Sequence, residues 1–239
     1  MKYFFVFVIV IASVVFGQDP TNILIYTDEF GGYGEDAILA TDSLWPTANI
    51  MAYHDAYTGP AAFNTDLSTY GGDLDIIVID CWCGFYDDLN WDVVKDLYDA
   101  GSVRVFASCW KWSTPAILGN AMGVSGYSDV NSVITHYPWN TGHAVTSGIT
   151  DWGWSEPGVG VMGIRMTVSD AVPITGWTPA QSVSEAGICV ANDGYSIISG
   201  YTLAFANESF NIWTNVLEFM WNGPQSLQNG TWAGIKASF

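Results

Sequence analysis

The sequence predicts an α/β fold in which helices cover both faces of a doubly wound, mostly parallel sheet. Strand-like apolar runs alternate with helical patterns through the first half of the chain, and this alternation is typical of βαβ units with right-handed crossovers. The run at residues 76–79 is continuously apolar, as expected for a strand covered on both faces. After Val124 the pattern changes to short strands separated by Gly, Pro and Asp turns, which indicates antiparallel additions in the C-terminal half.

Each element of the first half has its own local signal. Apolar or alternating runs predict four strands, at residues 22–27, 49–53, 74–80 and 103–108. Apolar residues at helical spacing predict three helices, at residues 35–44, 90–100 and 113–122. Pro46, Gly101 and Gly123 come at or just after the ends of these helices and are typical helix stops.

The second half carries fewer strong signals. Three further strands are predicted, at residues 159–168, 186–191 and 195–205. A last helix is predicted at residues 209–221, because apolar side chains recur along one face and Gly223 and Pro224 follow it. No internal repeat interrupts the chain, so residues 18–223 are predicted to form one domain, with a tail at 224–239.

The first 17 residues have the pattern of a secretory signal peptide. Lys2 supplies the positive charge, residues 3–16 are uncharged and mostly apolar, and small residues precede a cut before Gln18. An apolar run of about 14 residues is shorter than the roughly 20 needed to cross a bilayer, although an uncleaved anchor is the alternative. The sequence therefore predicts a secreted or cell-surface protein, with the periplasm as another compartment.

Charge restricts the class of partner. The chain has 6 Lys and Arg against 24 Asp and Glu, a formal net charge of −18. Nucleic-acid binding needs clustered basic side chains that neutralise phosphates, so this composition excludes it. It also disfavours anionic membrane surfaces and would attract cations. Carbohydrate or another surface protein remains as the predicted partner.

Four cysteines are compatible with an oxidising compartment: Cys81, Cys83, Cys109 and Cys189. Three full pairings are open to them. Cys83 and Cys109 each follow a predicted strand and would therefore lie near one edge of the sheet. We expect a disulfide between these two.

Three motifs carry a resemblance to a known family. One is the strand that ends at Cys109 and leads into a helix, another is the Gly-His segment at 142–149, and the third is the late strand at 199–208 before the last helix. Together they resemble the class I glutamine amidotransferase-like superfamily, in particular its secreted, trehalose-utilisation-protein-like and cell-surface relatives. The resemblance covers residues 22–223 and implies a flavodoxin-like strand order.

The resemblance also implies that the catalytic residues are lost. Active members hold the cysteine in a Gly-x-Cys-x-Gly elbow, but here Lys111 replaces the second glycine after Cys109. The family's catalytic histidine aligns with Ala206, while Glu208 matches the family's glutamate. A thiol without an adjacent imidazole has no base to hold it as thiolate. We therefore predict a pseudoenzyme without catalytic residues; if it were active, Cys109, His143 and Glu208 would be the candidates.

Carboxylates follow two neighbouring strands of the predicted sheet. Asp28 and Glu29 come after the first strand, and Asp80 ends the third. The carboxyl ends of parallel strands line the ligand crevice in doubly wound sheets, so these three side chains are expected to converge. Oxygen ligands of this kind suit Ca²⁺ or Mg²⁺, and helix capping or loop solvation is the alternative role. We therefore expect no cofactor, and a weak divalent-cation site is the alternative.

Aromatic side chains are frequent in the predicted loops. The chain has 12 Trp, 12 Tyr and 12 Phe, and aromatic rings beside carboxylates and amides are a usual means of holding sugars. Packing of a loop-rich cap over the sheet is the alternative role. Loop aromatics also include Tyr137, Trp152 and Trp154. Four tryptophans are the predicted ligand-binding residues: Trp82, Trp110, Trp112 and Trp139.

The sequence favours a secreted, non-catalytic protein that acts in binding or cell-surface interaction, with a glycan as one ligand. One alternative is a hydrolase that uses Cys109 with His143, or a divalent cation held by the three carboxylates. Another is a structural subunit of an extracellular assembly. The apolar tail favours this last alternative, and it resembles tails of secreted bacterial proteins.

Overall fold

A seven-stranded sheet forms the centre of the computed structural model, which describes residues 18–28, 34–54, 59–82, 86–112, 115–130, 135–154 and 163–223. The strands are β1 (Asn22–Thr27), β2 (Asn49–Tyr53), β3 (Ile76–Cys81), β4 (Arg104–Cys109), β5 (Val124–Val130), β6 (Tyr137–Pro138), β7 (Gly163–Val168), β8 (Val172–Pro173), β9 (Thr175–Gly176), β10 (Ile188–Val190) and β11 (Ile197–Ser199). The helices are α1 (Glu35–Leu44), α2 (Gly59–Tyr70), α3 (Trp91–Asp99), α4 (Ala116–Ala121) and α5 (Ser209–Asn222). The predicted signal peptide and tail lie outside the described residues.

The strand order confirms the predicted fold class. The sheet runs β2-β1-β3-β4-β11-β10-β8. The first five of these strands are parallel, whereas β10 is antiparallel to both β11 and β8. The order is flavodoxin-like, and the antiparallel additions come from the C-terminal half, as the sequence predicts. Two small antiparallel pairs, β5 with β7 and β6 with β9, lie outside this sheet.

Alternate side chains of the parallel strands pack into two core layers. Leu24 and Ile77 belong to the layer that also holds buried residues of α2, α3 and α4. Ile23 and Phe106 belong to the opposite layer, with buried residues of α1 and α5. Helices therefore cover both faces. Within the described ranges, no helix is long and apolar enough to cross a membrane.

Some elements differ from the sequence-based prediction. Helix α2 was not predicted, because only Phe63 and Leu67 mark its buried face among Asn, Thr, Ser and Asp. Strand β5 was missed for a similar reason, since only its two terminal valines are buried. The predicted strand at 195–205 is wrong in its second half: β11 ends at Ser199 and a 3₁₀ turn forms at Leu203–Phe205.

Arg104 of β4 holds the C-terminal end of α5. Its guanidinium donates hydrogen bonds to the carbonyl groups of Met220 and Trp221. The guanidinium carbon also lies 4.8 Å from the ring centroid of Tyr195 and 4.7 Å from that of Trp221. The last turn of α5 has no basic residue of its own. Arg104 therefore supplies the cation that favours the negative end of this helix.

Arg104→Gln is expected to lower the free energy of unfolding by about 2 kcal/mol, because buried carbonyl groups lose a charged donor. Urea denaturation would measure the change. Lys95→Gln is the control, since Lys95 forms an exposed surface pair with Asp99 one turn along α3, and it should leave the midpoint within experimental error. Equal effects of the two substitutions would contradict the role assigned to Arg104.

Candidate functional site

The carboxyl ends of β1, β3 and β4 lie side by side and bring several predicted site residues together. Thr27 of β1 is in register with Asp80 of β3, and Asp80 is in register with Ser108 of β4. Asp28 follows directly, and its backbone N–H donates to the carbonyl of Asp80 at 3.2 Å. Asp28 and Asp80 therefore meet as the sequence predicts, while Glu29 lies outside the described residues.

Asp28 and Asp80 form a buried carboxyl pair, only 6% and 2% exposed. Asp28 accepts hydrogen bonds from the backbone N–H of Trp82 and, at 3.2 Å, from the Cys81 thiol. The indole Nε1 of Trp82 donates to Asp80 Oδ1 at 2.8 Å and lies 3.0 Å from Ser108 Oγ. Protein donors thus occupy both carboxyl groups.

Burial and the neighbouring Asp28 raise the pKa of Asp80 to about 7, although hydrogen bonds with Trp82 and Ser108 oppose the change. At neutral pH this side chain is therefore divided between its charged and its protonated form.

The pair is a weak candidate for a cation site. Cation sites for Ca²⁺ or Mg²⁺ need several free oxygen ligands, and three of the four carboxyl oxygens here already accept from N–H and S–H groups. Among the residues that the structure describes, no group of three or more His, Cys, Asp or Glu side chains is placed to hold a metal ion. Chemically, the pair can take up or release one proton near neutral pH, because the pKa of Asp80 is about 7.

Cys109 is a buried free thiol at the end of β4. It is in register with Cys81 of β3, and the backbone N–H of Lys111 donates to its sulfur at 3.4 Å. The expected Cys83–Cys109 disulfide is therefore absent from this structure, since Cys109 is unpaired; Cys83 itself lies outside the described residues. A fully buried sulfur cannot meet a substrate in this conformation.

The three histidines of the chain contact residues other than Cys109. His54 follows β2, three strand spacings or roughly 14 Å from β4, and its Nδ1 lies 2.7 Å from Thr27 Oγ1. His136 Nε2 lies 2.7 Å from Thr175 Oγ1. His143 packs against Phe219 of α5, with ring centroids 4.7 Å apart.

Cys109 and His143 are not brought together. The cysteine belongs to the core layer of α2, α3 and α4, whereas Phe219, which contacts His143, belongs to the layer of α1 and α5. The Nδ1 atom of His143 accepts a hydrogen bond from the backbone N–H of Val145 at 3.2 Å, and burial lowers the pKa of this imidazole. His143 therefore stabilises a turn in this structure.

Glu208 holds a loop rather than facing the cysteine. Its Oε1 accepts from the backbone N–H of Thr150 at 2.8 Å, from Thr150 Oγ1 at 2.9 Å and from the backbone N–H of Asp151 at 2.6 Å. These hydrogen bonds lower the pKa of Glu208. The glutamate that matches the resembled family thus fixes the start of α5 to residues 150–151.

The four predicted ligand-binding tryptophans have different positions. Trp82 and Trp110 lie at the carboxyl edge of the sheet, and Trp110 packs edge-on against Tyr86 with centroids 5.5 Å apart. Trp139 is half-buried, and its indole donates to the carbonyl of Thr178 at 2.7 Å. Trp112 is only 1% exposed and stacks on Tyr127. The structure thus places Trp112 in the core, and its role as a ligand-binding residue stays a prediction.

A cavity of about 570 Å³ is a second candidate site, and the sequence did not predict it. We call it the aromatic pocket; the residues that line it and matter here are His136, Tyr137, Thr150, Asp151, Trp152 and Trp154. Two of its tryptophans were noticed as loop aromatics. The role of His136 was not, since nothing local in the sequence distinguishes it from a surface histidine.

Comparison with solved structures finds likeness of fold at low identity. One similar chain is a protein from Thermoplasma acidophilum provisionally named as one of the subunits of GMP synthase, at 11% identity over 85% of this chain and 95% of that one, TM-score 0.48. A provisionally named ThuA-like protein from Parabacteroides merdae is 10% identical over 85% and 90% of the two chains, TM-score 0.41.

A β-galactosidase from Rahnella sp. R3 is 12% identical over 85% of this chain but only 32% of its own length, with a TM-score of 0.46. The likeness therefore concerns one part of that enzyme. Neither a protein-family model nor a curated protein matches the sequence.

Proposed function

We propose that this protein is a secreted, non-catalytic domain with an amidotransferase-like fold, which acts by binding a ligand at the cell surface. The observation that carries the proposal is the environment of Cys109. Its sulfur is buried, and each of the three imidazoles lies beside other residues. A cysteine nucleophile needs a base and an approach for its substrate, and the described residues around Cys109 provide neither.

The remaining features support a binding role outside the cell. The segment at 1–17 has the composition of a signal peptide, and the strong negative charge is compatible with an extracellular protein. Aromatic side chains are abundant near the loops that follow the strands, and such side chains supply contact area to neutral ligands. A glycan or a surface protein is the proposed partner.

The proposal predicts that Cys109 reacts with iodoacetamide only after unfolding. Peptide mass spectrometry would measure labelling of Cys109 in native buffer and in denaturant. A separate assay would measure ammonia release from glutamine. Thr69→Cys places a thiol on the exposed face of α2 and reports the rate of an accessible cysteine. We expect this control thiol to react at least about a hundredfold faster than Cys109 in the native protein, because buried structural thiols are inert.

Comparable rates for the two thiols, together with glutamine hydrolysis that disappears in Cys109→Ser, would overturn the proposal in favour of an active enzyme.

A further inference from the structure

We infer that the aromatic pocket is the ligand-binding site of this protein and that it takes a neutral, hydroxylated ligand of the size of one or two sugar residues. The inference deepens the proposed function and rests on it, since it assigns a place and a chemical class to the binding role. A cavity of about 570 Å³ lies within the range typical of small-molecule sites.

Three polar atoms of residues that line the pocket have no hydrogen-bond partner in the described part of the chain. They are Nδ1 of His136, Nε1 of Trp152 and Nε1 of Trp154, all buried. The side chains of His136 and Trp152 are only 1% and 7% exposed. Buried polar atoms in proteins are nearly always hydrogen-bonded, so three unpaired ones beside a cavity indicate a ligand that completes them.

The other nitrogen of His136 is already occupied. Thr175 Oγ1 lies 2.7 Å from Nε2 and also accepts from the backbone N–H of Ile188 at 2.9 Å. If the threonine hydroxyl donates to Nε2, then Nδ1 carries the ring proton and needs an acceptor; in the other tautomer it needs a donor. Trp152 Nε1 is always a donor. Hydroxyl groups, which both donate and accept, satisfy either arrangement.

Charge disfavours an anionic ligand. Burial lowers the pKa of His136 to about 3, so the imidazole is uncharged at physiological pH. No Lys or Arg occurs among the described residues that line the cavity, and Asp151 is the one ionisable carboxyl there. This carboxylate is held by the backbone N–H of Gly153 at 2.8 Å and by Asn207 Nδ2 at 2.7 Å. An anion would meet repulsion and no counter-charge.

Aromatic rings provide the apolar part of the site. Trp154 stacks on Tyr201 with centroids 5.6 Å apart, and His136 stacks on the same ring at 4.0 Å. Trp177 packs edge-on against Trp154 at 5.8 Å. Trp154 is thus supported from behind by a packed layer of aromatic side chains. Sugars pair C–H faces with such rings and hydroxyl groups with polar atoms at their edges.

The loop that forms one wall is held in place before any ligand binds. Glu208 accepts three hydrogen bonds from Thr150 and Asp151. The hydroxyl of Tyr201 lies 3.0 Å from the carbonyl of Trp152 and 3.1 Å from that of Gly153, and it donates to them. A wall fixed in this way lowers the entropic cost of binding.

The test is calorimetric titration of the whole secreted chain with a panel of neutral mono- and disaccharides. We expect at least one sugar to bind and Trp152→Phe to weaken it about tenfold, because one buried donor is lost while the ring remains. Tyr70→Ala, at the end of α2 where the ring is 40% exposed, should leave the affinity unchanged. Circular dichroism establishes that each variant is folded.

A second readout avoids substitution altogether. With ¹⁵N-labelled histidine, a saturating sugar should shift the Nδ1 resonance of His136 and leave that of His143 unchanged. The opposite pattern would overturn the inference.

The other outcomes separate the inference from the proposed function. If Trp110→Ala or Trp82→Ala abolishes sugar binding and Trp152→Phe does not, the site assignment is wrong while the binding role stands. If no sugar binds, or if only a trimethylammonium compound does, the ligand class is wrong. The proposed function fails on a different measurement, the reactivity of Cys109.

Discussion

Asp80→Asn is expected to raise the free energy of unfolding above pH 7 by as much as ~4 kcal/mol and to change it little below pH 4. Burial and the charge of Asp28 raise the pKa of Asp80 from 3.8 to about 7. Folding therefore favours the protonated carboxyl. Between these two pKa values the folded state binds a proton that the unfolded state does not, so stability falls as pH rises through this window.

Asparagine removes that cost because it stays neutral while its amide oxygen can still accept from Trp82 Nε1. Thermal or urea unfolding of wild type and variant at several pH values between 4 and 8 would give the difference curve. Asp170→Asn, at an exposed position, is the matched control for the same change of residue type. A variant that is destabilised equally at all pH values would refute the raised pKa assigned to Asp80.

Adding millimolar Ca²⁺ or Mg²⁺ tests whether the carboxyl groups of Asp28 and Asp80 bind a cation. A cation that bound Asp28 and Asp80 would favour their charged forms and raise wild-type stability near pH 8. We expect no such rise, because N–H and S–H donors already occupy three of the four carboxyl oxygens. A rise that Asp80→Asn abolishes would support the cation-assisted alternative.

Tyr201→Ala is expected to lower the free energy of unfolding by about 4 kcal/mol, the usual loss when a large aromatic side chain is removed from a core. The ring is fully buried and contacts four other rings: His136, Trp152, Trp154 and Trp177. Tyr201→Phe keeps the ring and removes only the hydroxyl that holds the pocket loop, so about 1 kcal/mol is expected.

Urea denaturation with a matched surface control would test this difference. Phe210 lies on α5 and is 40% exposed, so Phe210→Ala should cost far less than Tyr201→Ala. Similar losses at the two positions would show that Tyr201 is not the centre of the aromatic layer.

The parallel half of the fold could be predicted because its signals are local. Strand β3 is buried at every position, and a continuous apolar run needs no knowledge of its partners to be recognised. The meeting of Asp28 and Asp80 followed from strand order, since both residues come at carboxyl ends of neighbouring strands.

The aromatic pocket could not be predicted because it depends on contacts between distant segments. His136 reaches Thr175 only through the pairing of β6 with β9, strands of two residues each. Trp152 and Trp154 reach Tyr201 from a loop without regular structure. Such short strands and loops leave no periodic pattern in a sequence, so their meeting point is a property of the tertiary structure alone.

Helix α5 is anchored twice, by Glu208 at its start and by Arg104 at its end. The first anchor leads to the pocket loop and the second to the central strand β4. The loop is therefore connected through α5 to the sheet. A ligand that occupied the pocket would restrict the loop and the helix together.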